Sequence, residues 1–73
     1  MEQRILELMK SVFKTDNLDE TCSQQNCEQW DSMNHLNLIV ELEMVYGVSF
    51  ETEEIAQMRS FDDVVRISKG KLS

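Results

Sequence analysis

The chain of 73 residues carries 14 acidic against 7 basic side chains, which gives a formal net charge of −7. A chain this short forms one small domain that buries only about 60% of its unfolded surface, so it has no room for an enzyme with a pocket of its own. The acidic charge disfavours nucleic acid and anionic membranes as partners and favours proteins with basic patches. We therefore expect a single non-enzymatic domain over residues 1–73.

No apolar run approaches the ~20 residues of a membrane-spanning helix, and the first residues lack the pattern of a signal peptide. We expect a cytoplasmic protein. Cys22 and Cys27 lie in a polar segment, and together with the distant His35 they provide too few ligands for a zinc site. We expect both thiols to be free and reduced, in preference to a local disulfide.

A first helix is predicted over residues 2–14, because apolar side chains recur there with a period near 3.6. These side chains are Ile5, Leu8, Met9, Val12 and Phe13. Residues 15–30 are rich in Asn, Asp, Gln, Ser and Thr, with Leu18 and Trp30 as apolar anchors. This composition predicts a long ordered loop that crosses one end of a helical bundle.

A second helix is predicted from about residue 33 to residue 46, where apolar residues repeat at three- and four-residue steps. They are Leu36, Leu38, Ile39, Val40, Leu42, Val45 and Tyr46. Gly47 is predicted to end this helix, since glycine accepts the left-handed backbone of a helix C-terminus without steric cost. Ser32 therefore stands where a polar loop gives way to a helix, and its hydroxyl is expected to be exposed.

Two interpretations of Ser32 follow from its position. Asp and Ser both cap helices well, so Asp31-Ser32 can form an ordinary N-cap. The unpaired N–H groups and the positive end of the helix dipole also favour an anion. A phosphate ester on this hydroxyl would be stabilised by roughly 0.3–1 kcal/mol.

A short third helix is predicted at residues 53–58, with Thr52 as its cap and with Ile55 and Met58 facing the core. A fourth helix begins at Ser60, which is predicted to be its cap. Acidic Asp62 and Asp63 lie at its positive end, and basic Arg66, Lys69 and Lys71 towards its negative end. The predicted fold class is all-α, a small four-helix bundle with a short third helix and a long loop between helices one and two.

The order of these motifs resembles the acyl carrier protein family. The similarity spans residues 5–67, and its most specific part is Asp31-Ser32-Met33 followed by the apolar positions up to Leu42. The resemblance implies 4′-phosphopantetheine on Ser32, with Asp31 recognised by the phosphopantetheinyl transferase. It also implies a monomeric carrier of lipid or fatty-acid metabolism, which catalyses nothing and presents acyl thioesters to acyl-activating or acyl-transfer enzymes.

One face of the second helix departs from the family pattern. Fatty-acid carriers present a densely acidic face, whereas Asn34, Asn37 and Met44 here accompany Glu41, with Asp31 and Glu43 as the only other acids nearby. We predict a specialised carrier and not one of bulk fatty-acid synthesis. Its predicted partner-binding residues are Met33, Asn34, Leu36, Asn37, Glu41 and Met44. Alternatively, the amides only solvate an outer face.

The resemblance also implies an acyl pocket between the second and third helices. Its residues would be Leu36, Val40, Ile55 and Met58, although core packing explains them equally well. His35 is close to Ser32, but no acid is placed to orient it and no oxyanion loop is evident, so a catalytic pair is not expected. We expect a surface histidine beside the arm.

Two other functions fit the sequence. D-alanyl carriers, which bear an aminoacyl group, show a similar Asp-Ser-Met motif, whereas the glycines that precede the serine of typical peptidyl carriers are missing from residues 27–31. The other alternative is an unmodified acidic helical module that binds partner proteins, in which Ser32 would only cap a helix.

Overall fold

The computed structural model describes residues 1–72, and Ser73, which ends the predicted domain, lies outside them. The described chain forms α1 (Glu2–Phe13), α2 (Ser32–Tyr46), α3 (Thr52–Gln57) and α4 (Phe61–Leu72). The predicted all-α fold is confirmed over this range, with its short third helix and its long loop between α1 and α2. α1 packs against both α2 and α4. None of the described helices is long and apolar enough to cross a membrane.

One apolar core joins the helices and the loops between them. Phe13, near the end of α1, lies against Trp30 from the long loop, with ring centroids 5.6 Å apart. Leu8 and Val12 of the predicted α1 stripe pack at its margin. The buried apolar residues are Ile5, Met9, Phe13, Leu18, Cys22, Trp30, Leu38, Ile39, Leu42, Phe50, Met58, Phe61, Val64, Val65 and Ile67. Both predicted loop anchors therefore belong to the core.

The long loop is held by backbone hydrogen bonds to the connection between α3 and α4 and to the first residue of α4. The N–H of Gln24 donates to the carbonyl of Arg59, and the N–H of Phe61 donates to the carbonyl of Cys22, both at 2.9 Å. Ser23 and Ser60 form an isolated antiparallel bridge between these bonds. The loop thus crosses the bundle along a fixed path and brings Trp30 to the start of α2.

Gly47 ends α2 as predicted. It has the left-handed conformation, with φ of 64°, and its N–H donates to the carbonyl of Glu43 at 2.9 Å. Lys14 adopts the same conformation after α1, with φ of 55°. A residue with a side chain adopts this conformation less favourably than glycine, so the end of α1 carries some backbone strain.

Ser60 caps α4 as predicted, because its Oγ accepts a hydrogen bond from the N–H of Asp63 at 3.2 Å. The short third helix is present, but its predicted cap was wrong, since Thr52 is the first residue of α3 and Glu51 is its N-cap. Glu51 and Glu54 form a reciprocal capping box, in which each side chain accepts the other's backbone N–H. A carboxylate followed by another three residues later satisfies two N–H groups, whereas a threonine cap satisfies one.

Candidate functional site

Asp31 and Ser32 have separate positions at the start of α2. Asp31 is the N-cap, and its Oδ1 accepts a hydrogen bond from the N–H of Asn34 at 2.8 Å. Ser32 is the first residue of the helix and is exposed. The capping bond is therefore made by the aspartate, and the hydroxyl of Ser32 lies at the surface at the positive end of the α2 dipole.

An open groove of about 490 Å³ adjoins Ser32. Its lining residues are Gln24, Trp30, Asp31, Ser32, His35 and Leu36. Gln24 is placed there by its backbone N–H, which donates to the carbonyl of Arg59 at 2.9 Å, and its Nε2 donates to the carbonyl of Met58 at 3.4 Å. The groove has room for a flexible chain that begins at the serine. Sequence reasoning missed it, because Gln24 reaches the site only through the folding of the long loop.

His35 is not the surface histidine that we expected. Its Nδ1 accepts a hydrogen bond from the indole N–H of Trp30 at 2.9 Å, and its Nε2 lies 2.8 Å from the carbonyl oxygen of Ile55. Because an indole only donates and a carbonyl only accepts, the ring is neutral with its proton on Nε2. Both nitrogens are occupied, so His35 cannot act as a base towards Ser32.

The outer face of α2 is mainly apolar and amide in character. Met33 and Met44 are each 73% exposed, and Leu36 is 60% exposed. Asn37 and Glu41 are also exposed on this helix. Asn34 is half-buried, and its Nδ2 donates to the carbonyl of Gln29 at 2.8 Å, which ties the loop to the helix start.

Glu43 does not belong to this outer face. Its Oε2 accepts a hydrogen bond from the N–H of Phe50 at 2.9 Å, so the carboxylate stabilises the connection between α2 and α3. Of the three acids expected near the face, Asp31 and Glu41 remain exposed. The face is therefore less acidic than the sequence suggested.

The four residues expected to line an acyl pocket lie at different depths. Leu36 and Val40 are 60% and 52% exposed on α2, whereas Met58 is fully buried. Ile55 is half-buried and packs against the core. Val45, which we expected on the apolar stripe of α2, is also exposed. The buried stripe of α2 consists of Leu38, Ile39 and Leu42.

Both cysteines are free. Cys22 is buried although it follows polar residues, because the bonds from the loop to the residues before α4 turn it inward. Burial, and then the neighbouring Cys27, raise the pKa of the Cys22 thiol to about 12. Cys22 is therefore a protonated core residue and not a nucleophile.

Comparisons with known proteins agree with the fold. No family model matches the chain. A curated relative from Mycoplasma genitalium, named an acyl carrier protein homolog, is 31% identical over 72 residues, which cover 96% of this chain and 86% of that protein. The solution structure of a holo acyl carrier protein from Geobacter metallireducens is similar with a TM-score of 0.87 and 27% identity, over 97% of this chain and 84% of that one.

Members of this family are carrier proteins with a 4′-phosphopantetheine cofactor, and they are not enzymes. The similarity to the curated relative spans almost the whole of both chains, and the similarity in structure includes all four described helices. The chain belongs to the acyl carrier protein family.

Proposed function

We propose that the protein is a monomeric cytoplasmic carrier whose Ser32 hydroxyl bears the 4′-phosphopantetheine arm. The observation that carries this proposal is the exposed hydroxyl of Ser32 directly after the N-cap Asp31. Other serines have different settings, since Ser60 caps α4 and Ser68 is buried. When bound, the arm supplies a terminal thiol on which acyl groups are held as thioesters.

The surroundings of Ser32 fit this group. A phosphodiester on its oxygen would lie at the N-terminus of α2, where the helix dipole favours a negative charge. The groove lined by Trp30, His35 and Leu36 leaves room for the flexible arm. Asp31 is held by its bond to the N–H of Asn34, so its carboxylate has a fixed position in which the phosphopantetheinyl transferase can recognise it.

The outer face of α2 is the surface that we propose for partner enzymes, which are acyl-activating or acyl-transfer proteins. Met33, Leu36 and Met44 offer exposed apolar area, and Asn37 and Glu41 offer polar contacts beside them. Asn34 supports this surface by holding the loop, as its bond to Gln29 indicates. Partners would read this face through apolar and hydrogen-bond contacts more than through charge, which makes the carrier a specialised one.

An acyl chain on this carrier would enter between α2 and α3. Leu36 and Val40 border the entrance on α2, and Ile55 and Met58 lie on the α3 side. Met58 is fully buried, so a chain that reaches it must displace α3. We regard these four residues as the lining of the opened pocket.

Incubation with coenzyme A and a broad-specificity phosphopantetheinyl transferase, followed by intact mass measurement, tests the assignment of Ser32. The parent should gain one arm, and Ser32→Ala should gain none. Because Asp31 makes the capping bond, Ser32→Ala should change the free energy of unfolding by no more than about 0.5 kcal/mol. Ser49→Ala, at an exposed serine, is the matched control and should be modified like the parent.

Modification of the Ser32→Ala variant would contradict the assignment to this residue. A parent chain that stays unmodified, with its helical circular dichroism intact, would contradict the carrier function. That result would favour an unmodified helical module that binds partner proteins.

A further inference from the structure

His35 joins three parts of the chain beside Ser32. The indole N–H of Trp30 donates to Nδ1 at 2.9 Å, and Nε2–H donates to the carbonyl of Ile55 at 2.8 Å. The bridge therefore connects the long loop, the first turn of α2 and α3. Both bonds exist together only while the imidazole is neutral. We call Trp30, His35 and Ile55, with these two bonds, the latch.

α3 has few other attachments to the domain. None of its own residues is buried, and Ile55 is only half-buried. Glu54 pairs with Lys71 of α4 at 2.8 Å, and Met58 is buried just after the helix. A helix with so little buried apolar area opens at low free-energy cost, so the latch is one of the few contacts that hold α3 in place.

The latch adjoins the groove at Ser32. His35 lies about one helical turn beyond Ser32, and both residues line the groove together with Trp30. A chain attached to Ser32 that enters between α2 and α3 has to pass His35, and it then has to move α3 away from the buried Met58. The position of the latch is therefore suited to control which cargo enters.

We propose that His35 is a specificity-determining residue, whose closed latch keeps an acyl chain in the outer groove and whose opening admits the chain between α2 and α3. The role in cargo selection rests on the proposed carrier function. The existence of the latch does not. A carrier with a closed latch suits short or polar acyl groups, which gain little from burial in an apolar interior.

A proton on both ring nitrogens of His35 would break the Trp30 side of the latch and leave the Ile55 side in place. A proton on Nδ1 removes the acceptor for Trp30 and sets two N–H groups against each other in a half-buried site. The imidazolium can still donate to Ile55 through Nε2, so the conflict falls on Trp30.

Other charged groups lie on the elements around His35. They are Asp31 in the loop, Glu51 before α3, Glu53 and Glu54 on α3, and Lys71 on α4. Asp31 is bound to the N–H of Asn34. Lys71, and then the backbone N–H of Glu51, lower the pKa of the Glu54 carboxyl below its usual value. The chain has one histidine, so imidazole signals belong to His35 alone.

The first experiment measures the latch in the unmodified chain by NMR. The chain has one tryptophan, so the indole N–H resonance also has a single origin. At one fixed pH, His35→Ala should reduce the protection of the indole N–H against solvent exchange by roughly three- to tenfold relative to the parent, as expected for one lost hydrogen bond. The methyl resonances of Ile55 and Met58 should shift in the same variant.

Two variants separate the latch from simple packing. His35→Gln keeps a donor and an acceptor, so it should restore part of the indole protection that His35→Ala loses. Trp30→Phe keeps a ring in the core and leaves His35 free to donate to Ile55, so Ile55 and Met58 should shift less than in His35→Ala. Gln57→Ala, an exposed change on α3, should behave like the parent. An indole N–H that is as well protected in His35→Ala as in the parent would overturn the latch.

The second experiment tests cargo access with acetyl and octanoyl groups loaded on the arm and cleaved by hydroxylamine, with intact mass as the readout. In the parent, both groups should be cleaved at rates within about twofold, because the octanoyl chain stays outside. In His35→Ala, octanoyl cleavage should slow by roughly threefold or more relative to acetyl, the factor that one lost hydrogen bond provides. Trp30→Phe is the second variant, which should show a smaller slowing, in case the alanine variant does not fold.

Suppose that the parent already protects the octanoyl thioester from hydroxylamine while the indole N–H of Trp30 is still bonded to His35. That result would overturn the role of the latch in cargo access. Equal cleavage of the two groups in both folded variants would do the same. If Ser32 accepts no arm, the carrier function fails and the cargo role fails with it, while the indole measurement still decides whether the latch exists.

Discussion

Asp31 supplies two distinct properties at the start of α2. Its Oδ1 satisfies the N–H of Asn34, which stabilises the helix, and its negative charge remains exposed beside Ser32. An asparagine can make the same capping bond but carries no charge. The two properties can therefore be separated by one substitution.

Asp31→Asn should affect modification much more than folding. We expect the free energy of unfolding to change by no more than about 0.5 kcal/mol, since Asn caps as well as Asp. The initial rate of arm transfer should fall roughly tenfold, the factor given by about 1.4 kcal/mol of lost electrostatic attraction. Urea unfolding and intact mass at equal protein concentration measure the two effects.

Asp62→Asn is the matched control, because Asp62 is exposed in the first turn of α4, where its loss changes the net charge equally. It should leave the rate of arm transfer unchanged. Equal rates for the parent and Asp31→Asn would show that the charge of Asp31 has no part in recognition.

α2 has apolar residues on two sides, of which one is buried and the other is exposed. Leu38, Ile39 and Leu42 are buried, whereas Val40 and Met44 lie outside. An apolar face that a helix exposes to solvent is typical of a surface that binds a partner. This property of the element supports the outer face as the surface for partner enzymes.

Leu42→Ala and Phe13→Ala should each lower the free energy of unfolding by about 2–5 kcal/mol, a large fraction of the stability of a small domain. Leu42 is fully buried, and Phe13 packs against Trp30. Val45→Ala is the control on the same helix and should cost less than about 1 kcal/mol, because Val45 is exposed. Urea denaturation followed by circular dichroism measures all three. Similar losses for Leu42 and Val45 would contradict the assignment of the buried face.

The whole molecule is strongly negative, but its charge is unevenly distributed over the surface. The net charge of −7 provides long-range attraction to basic partners, whereas the outer face of α2 has few carboxylates of its own. Long-range attraction therefore acts on the approach of a partner, and short-range contacts with the α2 face decide its fit.

Asn37→Glu should improve the protein as a substrate for an enzyme of bulk fatty-acid synthesis whose carrier site is basic. Asn37 is preferable to Asn34, because Asn34 holds the carbonyl of Gln29. We expect the rate to rise roughly threefold at low salt and less at physiological salt, since exposed charges are screened within ~8–10 Å. Rates of acyl transfer to the arm-bearing parent and variant, at two salt concentrations, measure this effect.

Gln57→Glu adds the same charge on α3 and should change the rate less, because it lies outside the α2 face. A parent that already serves the fatty-acid enzyme as well as that enzyme's own carrier would contradict the specialised function.

The sequence by itself determined the helices and the setting of Ser32. Periodicity and capping are local properties, so they predicted α1, α2 and α4, the cap at Ser60 and the end of α2 at Gly47. The core positions of Leu18 and Trp30 were also predictable, because large apolar side chains in an otherwise polar loop are stabilised by burial in the core.

The tertiary structure alone decided which distant groups meet. His35 bonds to Ile55 of α3, and Cys22 is buried by a loop that pairs with the residues before α4. The groove beside Ser32 depends in the same way on Gln24, whose position follows from its backbone bond to Arg59. Such contacts join residues far apart in the chain, and their geometry depends on how the elements pack and not on the spacing of residues within any one of them.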